Sequence, residues 1–378
     1  MEFERTPSTS PYPTKFVAIR LDPDGTLDPT FGRSGIVEVD LTPNPDFALS
    51  VAIQTDGKLV LAGGADSAAL NDRLGVIRLN PNGSLDTTFG FGGKLVSTVA
   101  HAASDVALQS DGKILEVSGG PGLTVTWITA SGTLDKTFGG TGTVETDFPG
   151  TFLGQATSVA VGADGKIDVG GFVCCRPTNY DFALARYNPD GSLDTTFGTG
   201  GTVETDFLGG ADEANDMALQ SDGRILLEGS AETKTLNDLA LARYTSSGAL
   251  DPTFGNRGRV LTKFIQSSPS GGAGSDQEGD AVAIQSDGKI LEGGTVYGYT
   301  VLPDDFALAR HESSGVLDTS FGWNGKEKVN GDTTTLPQKS HTTAIAVCLP
   351  TSIGTARSRS RSSSLIRWTN ASCSLPPM

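Results

Sequence analysis

Apolar and polar residues alternate along this chain in short runs, and the runs are broken every few residues by Asp-Gly, Asn-Gly or Pro-Asp-Gly. Side chains of an extended segment point to opposite faces in turn, so such runs predict strands and the breaks predict reversals of direction. From Asn215 to Phe264 the order is DMALQ, SDG, RILLEG, a loop, DLALARY, TSSG, ALDPTFG, a short loop and RVLTKF. That is a meander of four strands. The triplets TDG, SDG and ADG suit three-residue hairpins in which glycine takes the left-handed position and Asp bonds to local backbone. NPDG and PNG serve the next corner.

The meander repeats. Six copies of L-D-x-T/S-F-G begin at Leu27, Leu85, Leu134, Leu193, Leu250 and Leu317, and five D-G-K/R motifs lie between them at Asp56, Asp111, Asp164, Asp222 and Asp287. The mean period is 58 residues. A four-stranded sheet of this size cannot bury both faces alone, and radial stacking of like sheets covers them. The expected fold is therefore all-β, a β-propeller of about six four-stranded antiparallel blades. In the strand DFALARY, Phe182 and Leu184 fall on one side and Ala183 and Ala185 on the other. Large residues of one blade can then meet small ones of the next.

The two ends differ from the middle. KFVAIRL and GIVEVDL match only a third and a fourth strand, while TAIAV at 343–347 matches a first strand. A closing blade shared by both ends is expected, with a seven-bladed or incompletely closed ring as the alternative. Residues 1–14 read as a disordered segment, 15–348 as the repeat domain and 349–378 as an irregular tail. After Val347 the expected Q-x-D-G-K-I gives way to CLPTSIGTARSRSRSSS. Serine and arginine runs occur in RNA-binding or phosphorylated tails. A shifted reading frame is the simpler account, because codons for Asp-Gly-Lys-Ile read one base late give Thr-Ala-Arg-Ser, the sequence at Thr355 to Ser358. LIRWTN, at Leu365 to Asn370, then resumes a third-strand pattern. On that reading the closing blade lacks a proper second strand.

Charge narrows the partners. Over 378 residues the formal net charge is −16, and the pI is near 4.6. Nucleic acid is not an expected partner, because its binding rests on clustered Lys and Arg. Cations and basic surfaces suit the chain better. No apolar run approaches the roughly 20 residues of a membrane-spanning helix, and the first residues lack the pattern of a secretory signal. A monomer, or part of a larger protein, is expected. Four cysteines, Cys174, Cys175, Cys348 and Cys373, sit at no equivalent repeat positions and form neither a disulfide framework nor a zinc set; adjacent Cys174 and Cys175 are expected to be ordinary thiols, with a strained vicinal disulfide between them as the alternative.

The segments AIQ-x-DGKIL, DFALARYNPDGSLDTTFG and GTVETDF closely resemble the delta-60 repeat, with the cleanest copy from Tyr180 to Phe207 and the likeness running from about residue 15 to 347. The resemblance implies a propeller-like fold in bacterial proteins that are exported or carried on the cell surface. It implies no defined reaction.

Candidate chemistry is sparse. Arg20, Arg78, Arg186, Arg243 and Arg310 stand at one place in the third strand, eight residues before the motif aspartates Asp28, Asp86, Asp194, Asp251 and Asp318. A ring of guanidinium groups around an anion is one reading. Pairing of each Arg with the aspartate of its own blade is preferred, since the planar fork suits a carboxylate; Trp127 replaces Arg in the one unit that still keeps Asp135. Asp22, Asp24 and Asp28 are spaced as calcium ligands could be, but six to eight oxygens and a closing Glu are wanting, so turn aspartates are the preferred reading and no cofactor or metal is expected. Asp105 and Asp216 share a first-strand position and are candidates for an acidic channel mouth, as are Asp147 and Asp206 near the end of the fourth strand, but solvated rim residues are the preferred reading of all four. Three histidines, His101, His311 and His341, occupy unrelated places, so no catalytic residues are assigned. The leading expectation is a non-enzymatic scaffold that binds a protein, glycan or other ligand through loops at one face. The alternative is a hydrolase or lyase of polysaccharide type with a carboxylate-lined central site. The long connections Gln266 to Gly279 and Val173 to Asn179 are where specialisation is expected.

Overall fold

In the computed structural model, residues 15–65, 73–174, 179–233, 236–264, 276–297, 305–330, 345–348, 357–361 and 363–367 are described, and all regular structure among them is β. Strands β1 (Phe16–Leu21) and β2 (Ile36–Val39) form an N-terminal pair. A first unit follows, with β3 (Phe47–Ile53), β4 (Leu59–Ala65), β5 (Arg73–Leu79) and β6 (Lys94–His101). The second has β7 (Asp105–Leu108), β8 (Ile114–Gly120), β9 (Leu123–Ile128) and β10 (Thr143–Thr146). The third has β11 (Leu153–Val161), β12 (Ile167–Cys174), β13 (Tyr180–Tyr187) and β14 (Thr202–Thr205). The fourth has β15 (Asp212–Leu219), β16 (Ile225–Thr233), β17 (Leu236–Tyr244) and β18 (Arg259–Thr262). The fifth has β19 (Gln277–Ile284), β20 (Ile290–Val296), β21 (Asp305–His311) and β22 (Lys326–Asn330). Each unit pairs antiparallel in chain order, and β8 also pairs with β11, through Gly154↔Gly120 and Gln155↔Gly119, which joins the second and third units in one sheet.

The chain ends meet in one sheet, though not in the expected order. β23 (Ile345–Cys348) lies directly against β1 and parallel to it, with Ala18 opposite Ile345. In a meander the first and third strands run parallel. A first-strand segment that pairs with no second strand among the described residues can dock on a third strand in this way. β24 (Arg357–Arg361) and β25 (Ser363–Arg367) pair with each other in a separate sheet.

The alternation of large and small residues sets the packing between units. Phe182 and Leu184 of β13 pack with Ala214, Met217, Ala240 and Ala242 of the fourth unit. Ala183 and Ala185, on the other face, join Val117, Val125 and Trp127 of the second. Burying each such Phe or Leu contributes about 1.5–3 kcal/mol.

The Asp, Thr, Phe and Gly of L-D-x-T-F-G each have a task. In the first unit Asp86 Oδ1 accepts from the Thr88 backbone N–H and hydroxyl, at 3.1 and 2.6 Å, which fixes the turn. Asp86 Oδ2 accepts from Arg78 Nε at 2.8 Å, and the guanidinium of Arg78 lies 4.8 Å over the Phe89 ring. Arg78 Nη1 then reaches Ala130 O of the next unit at 2.7 Å, while Gly90 N donates to Ser131 O at 2.8 Å. Arg20, Arg186 and Arg243 reach Pro81, Ser246 and Ser313 carbonyls in the same manner. The motif is thus both a turn and a clasp between units. At Gly83, where φ is +85°, a Cβ would stand 2.6 Å from Gly32 N of the unit before, so only glycine fits. A Cβ at Gly25, the corresponding glycine of the N-terminal pair, would meet nothing within 4 Å among the described residues.

Candidate functional site

Most of the repeated charges are consumed by the fold. Arg20, Arg78, Arg243 and Arg310 pair with Asp28, Asp86, Asp251 and Asp318 at 2.6, 2.8, 2.9 and 2.7 Å. Arg186 departs from the expectation. It forms a bidentate pair with Asp168 of β12, at 2.6 and 3.1 Å, because this unit alone places a carboxylate where the others carry Val60, Leu115, Leu226 and Leu291. Asp194 turns instead to Lys166 at 2.5 Å, and that ammonium together with the Thr196 hydroxyl holds the Asp194 carboxyl down at about 2. The same cross-pairing recurs as Lys58 to Asp86, Lys113 to Asp135, Arg224 to Asp251 and Lys289 to Asp318, at 3.1, 3.0, 3.1 and 2.7 Å. Hence the two motifs share one period because the basic residue of D-G-K/R is the second partner of the motif aspartate. Where Trp127 replaces Arg, it stacks on Phe138, and Lys113 is the cation that meets Asp135, beside the turn bonds from Thr137.

Asp105 and Asp216 do not form an open mouth. They are only 3% and 1% exposed, and they link the first strands of successive units. Ser50 donates to Asp105 Oδ1 at 2.7 Å, and Val159 N donates to Asp105 Oδ2 at 3.0 Å. Ser158 bridges Asp105 and Asp216 at 3.4 and 3.3 Å, and Val282 N donates to Asp216 Oδ2 at 2.8 Å. The correction has a simple cause: strand alternation gives the face of a residue but not whether a neighbouring sheet covers it. Asp147 and Asp206 are exposed at the ends of fourth strands. Asp24 and Asp28 accept from the Thr26 and Thr30 backbone and hydroxyls, as turn aspartates do. Cys174 is disulfide-bonded, against the expectation of an ordinary thiol.

His311 is buried with Glu292 Oε2 at 2.9 Å and Thr262 Oγ1 at 3.4 Å, both on Nε2. A nucleophile and an orienting carboxylate must address opposite ring nitrogens, so this is not a catalytic triad.

Asp206 belongs to a group that the sequence did not reveal. One carboxylate oxygen each of Asp181, Asp206 and Asp212 lie within 4.8 Å of one another. Asp181 opens β13, Asp206 follows β14, and Asp212 opens β15 in the next unit. Glu204 of β14 stands beside Asp181. Burial and the neighbouring Glu204 push the Asp181 carboxyl up to about 6. Burial raises Asp212 to about 7, with Asp206 and Asp181 adding to it. Asp212 Oδ2 accepts from Phe207 N at 2.6 Å, while Asp212 Oδ1 is buried without a hydrogen-bond partner among the described residues.

A pocket of about 430 Å³ opens here, lined by Thr151, Asn179, Asp181, Glu204, Asp206 and Gly209 among others. A second, of about 780 Å³, adjoins it and shares Pro149 and Glu204. Phe152 and Leu208, in the loops that supply Thr151 and Gly209, are 82% and 62% exposed. Of the two long connections expected to specialise, 265–275 and 175–178 lie outside the described residues; Asn179, at the end of the second, lines the pocket.

The sheets, the clasp and the period define an all-β repeat protein of the β-propeller type. A family described as a domain of unknown function (DUF5122) beta-propeller matches residues 12–31, 54–89, 162–197, 220–254 and 285–321; the last four segments each carry both motifs, the first carries the Leu27 motif, and the unit with Asp111 and Leu134 lies outside the match. No curated protein sequence matches the chain. Among solved structures, a protein of unknown function from Bacteroides caccae is 11% identical with a TM-score of 0.37, over 75% of this chain and 99% of that one. A GH43 endo-arabinanase from Bacillus licheniformis is 13% identical with a TM-score of 0.37, over 73% and 98%. A PL25 ulvan lyase is 10% identical with a TM-score of 0.40, over 77% and 72%. Likeness at this level carries no argument about what this chain does. Among the described residues no helix is long and apolar enough to cross a membrane.

Proposed function

We propose that the chain is a non-enzymatic propeller scaffold of the delta-60 type, with about six blades and a closing blade drawn from both ends. It spans residues 15–348 and serves in a bacterial protein that is exported or held at the cell surface. It binds a glycan or protein ligand through loops on one face. The observation that carries this reading is the double depression at Pro149 and Glu204 beside exposed Phe152 and Leu208. The arginines of the repeat are tied into the clasps, whereas Phe152 and Leu208 stand exposed in loops. An aromatic face beside a carboxylate-lined hollow suits sugar rings and their hydroxyls.

The full chain should retain soluble acidic or neutral polysaccharides in affinity electrophoresis. Phe152→Ala and Leu208→Ala should each weaken retention about tenfold, the loss of one well-packed contact, with little change in thermal stability. Unchanged retention in both variants would remove this face as the site. Release of new reducing or unsaturated ends by the wild-type chain would move the reading to the hydrolase or lyase alternative.

A further inference from the structure

We infer that the corner formed by Asp181, Asp206 and Asp212 is a divalent cation site suited to Ca²⁺. The inference names the chemistry of part of the same depression and rests on its being a ligand site.

The repeat supplies its own comparison. Positions equivalent to Asp181, Asp206 and Asp212 are occupied at the junction of the fourth and fifth units by Asp238, Lys263 and Gln277. There Gln277 Oε1 accepts from Phe264 N at 2.6 Å and Gln277 Nε2 donates to Asp238 Oδ1 at 3.0 Å. Asp212 does the first of these tasks for Phe207 but has no N–H to offer Asp181. At the junction of the N-terminal pair and the first unit, Lys15 stands at the Asp181 position and pairs with Asp40 at 3.2 Å. In the fifth unit Asp305, again at the Asp181 position, is met by Lys328 at 2.5 Å. Those corners hold a cation or an amide donor. The corner between the third and fourth units holds Asp181, Glu204, Asp206 and Asp212, and Arg259, which reaches this loop, gives its Nη1 to the Asp206 and Phe207 backbone carbonyls at 2.7 and 3.3 Å rather than to these carboxylates, while its Nε is buried without a partner among the described residues.

What is wanting is positive charge, and a fully buried oxygen marks where. Asp212 is 0% exposed, its Oδ2 is taken by the Phe207 amide, and its Oδ1 has no hydrogen-bond partner among the described residues. A buried carboxylate oxygen without a donor is costly unless a cation meets it. Oxygens held by one Ca²⁺ at about 2.4 Å stand at most about 4.8 Å apart. The three carboxylates fall within that span without rearrangement. Ca²⁺ accepts irregular oxygen cages completed by water, whereas Mg²⁺ demands a tighter octahedron.

The test is isothermal titration of the chelator-stripped full chain with CaCl₂ alone, then with MgCl₂. One Ca²⁺ per chain is expected, with Mg²⁺ at least about tenfold weaker. Asp212→Asn, which restores the amide found at Gln277, should weaken Ca²⁺ binding at least about thirtyfold, as should Asp206→Asn on the exposed side of the corner. Asp147→Asn, at the position equivalent to Asp206 in the second unit, should change nothing. No saturable Ca²⁺ binding, equal affinity in both corner variants, or an equal loss in Asp147→Asn would overturn the inference. Polysaccharide retention that persists in chelator beside a failed Ca²⁺ titration sinks the cation site alone; Ca²⁺ binding without any retained polysaccharide sinks the proposed function alone.

Discussion

The two corners that flank the fourth unit hold equivalent positions and solve one electrostatic problem differently. Between the fourth and fifth units, Gln277 accepts from backbone with one end and donates to Asp238 with the other. Between the third and fourth, Asp212 accepts from backbone and brings a carboxylate oxygen within 4.8 Å of one from Asp181, with no amide donor between them. The positions correspond, and two exchanges, Gln277 for Asp212 and Lys263 for Asp206, separate a self-satisfied structural joint from a site that wants a cation. The difference teaches that in a repeat protein a ligand site is found where a structural partner is withdrawn.

The comparison breaks most visibly if the satisfied corner is made acidic. Gln277→Glu removes the donor to Asp238 and buries a second carboxylate against it, with an expected loss of about 3 kcal/mol in urea unfolding at neutral pH. A loss below about 0.5 kcal/mol, the scatter of surface substitutions, would mean that the amide does not hold this joint.

A buried carboxyl away from either corner sharpens the point. Glu116 is fully buried, both its oxygens lack a hydrogen bond among the described residues, and burial pushes its carboxyl up to about 8, partly offset by the nearby Thr126 and Ser118 hydroxyls. The folded chain keeps this proton after the unfolded chain has lost it. Stability from this group is therefore fully present below the unfolded value of 4.5 and falls as pH rises toward about 8. The slope reaches at most about 1.4 kcal/mol per pH unit. Glu116→Gln should flatten that slope, and parallel pH profiles for variant and wild type would contradict it.

Local features of the fold were legible in the sequence. Turn glycines such as Gly57, Gly112, Gly165, Gly223 and Gly288 take the left-handed conformation that their D-G-K/R triplets demand. The Phe182/Leu184 against Ala183/Ala185 alternation fixes which face meets which neighbour. What escaped reading needs two or three strands at once. Lys58 meets Asp86 across a sheet, and Asp105 is covered by Ser50 and Val159 from the units on either side. The corner escaped for the same reason, since Asp181 and Asp212 lie in different units. A signal was present all the same: aligned repeats put Lys15 and Gln277 where Asp181 and Asp212 stand.

The smallest expected effect is the most telling one. In chelator, without any divalent cation, Asp212→Asn keeps the acceptor for Phe207 N, removes one buried charge and offers Asp181 a donor. Its unfolding midpoint should lie above that of the wild type by about 2 °C, the equivalent of roughly 1 kcal/mol. Added CaCl₂ should raise the wild type and leave the variant where it was. A variant midpoint below the wild type in chelator would contradict the claim that this corner is short of a donor.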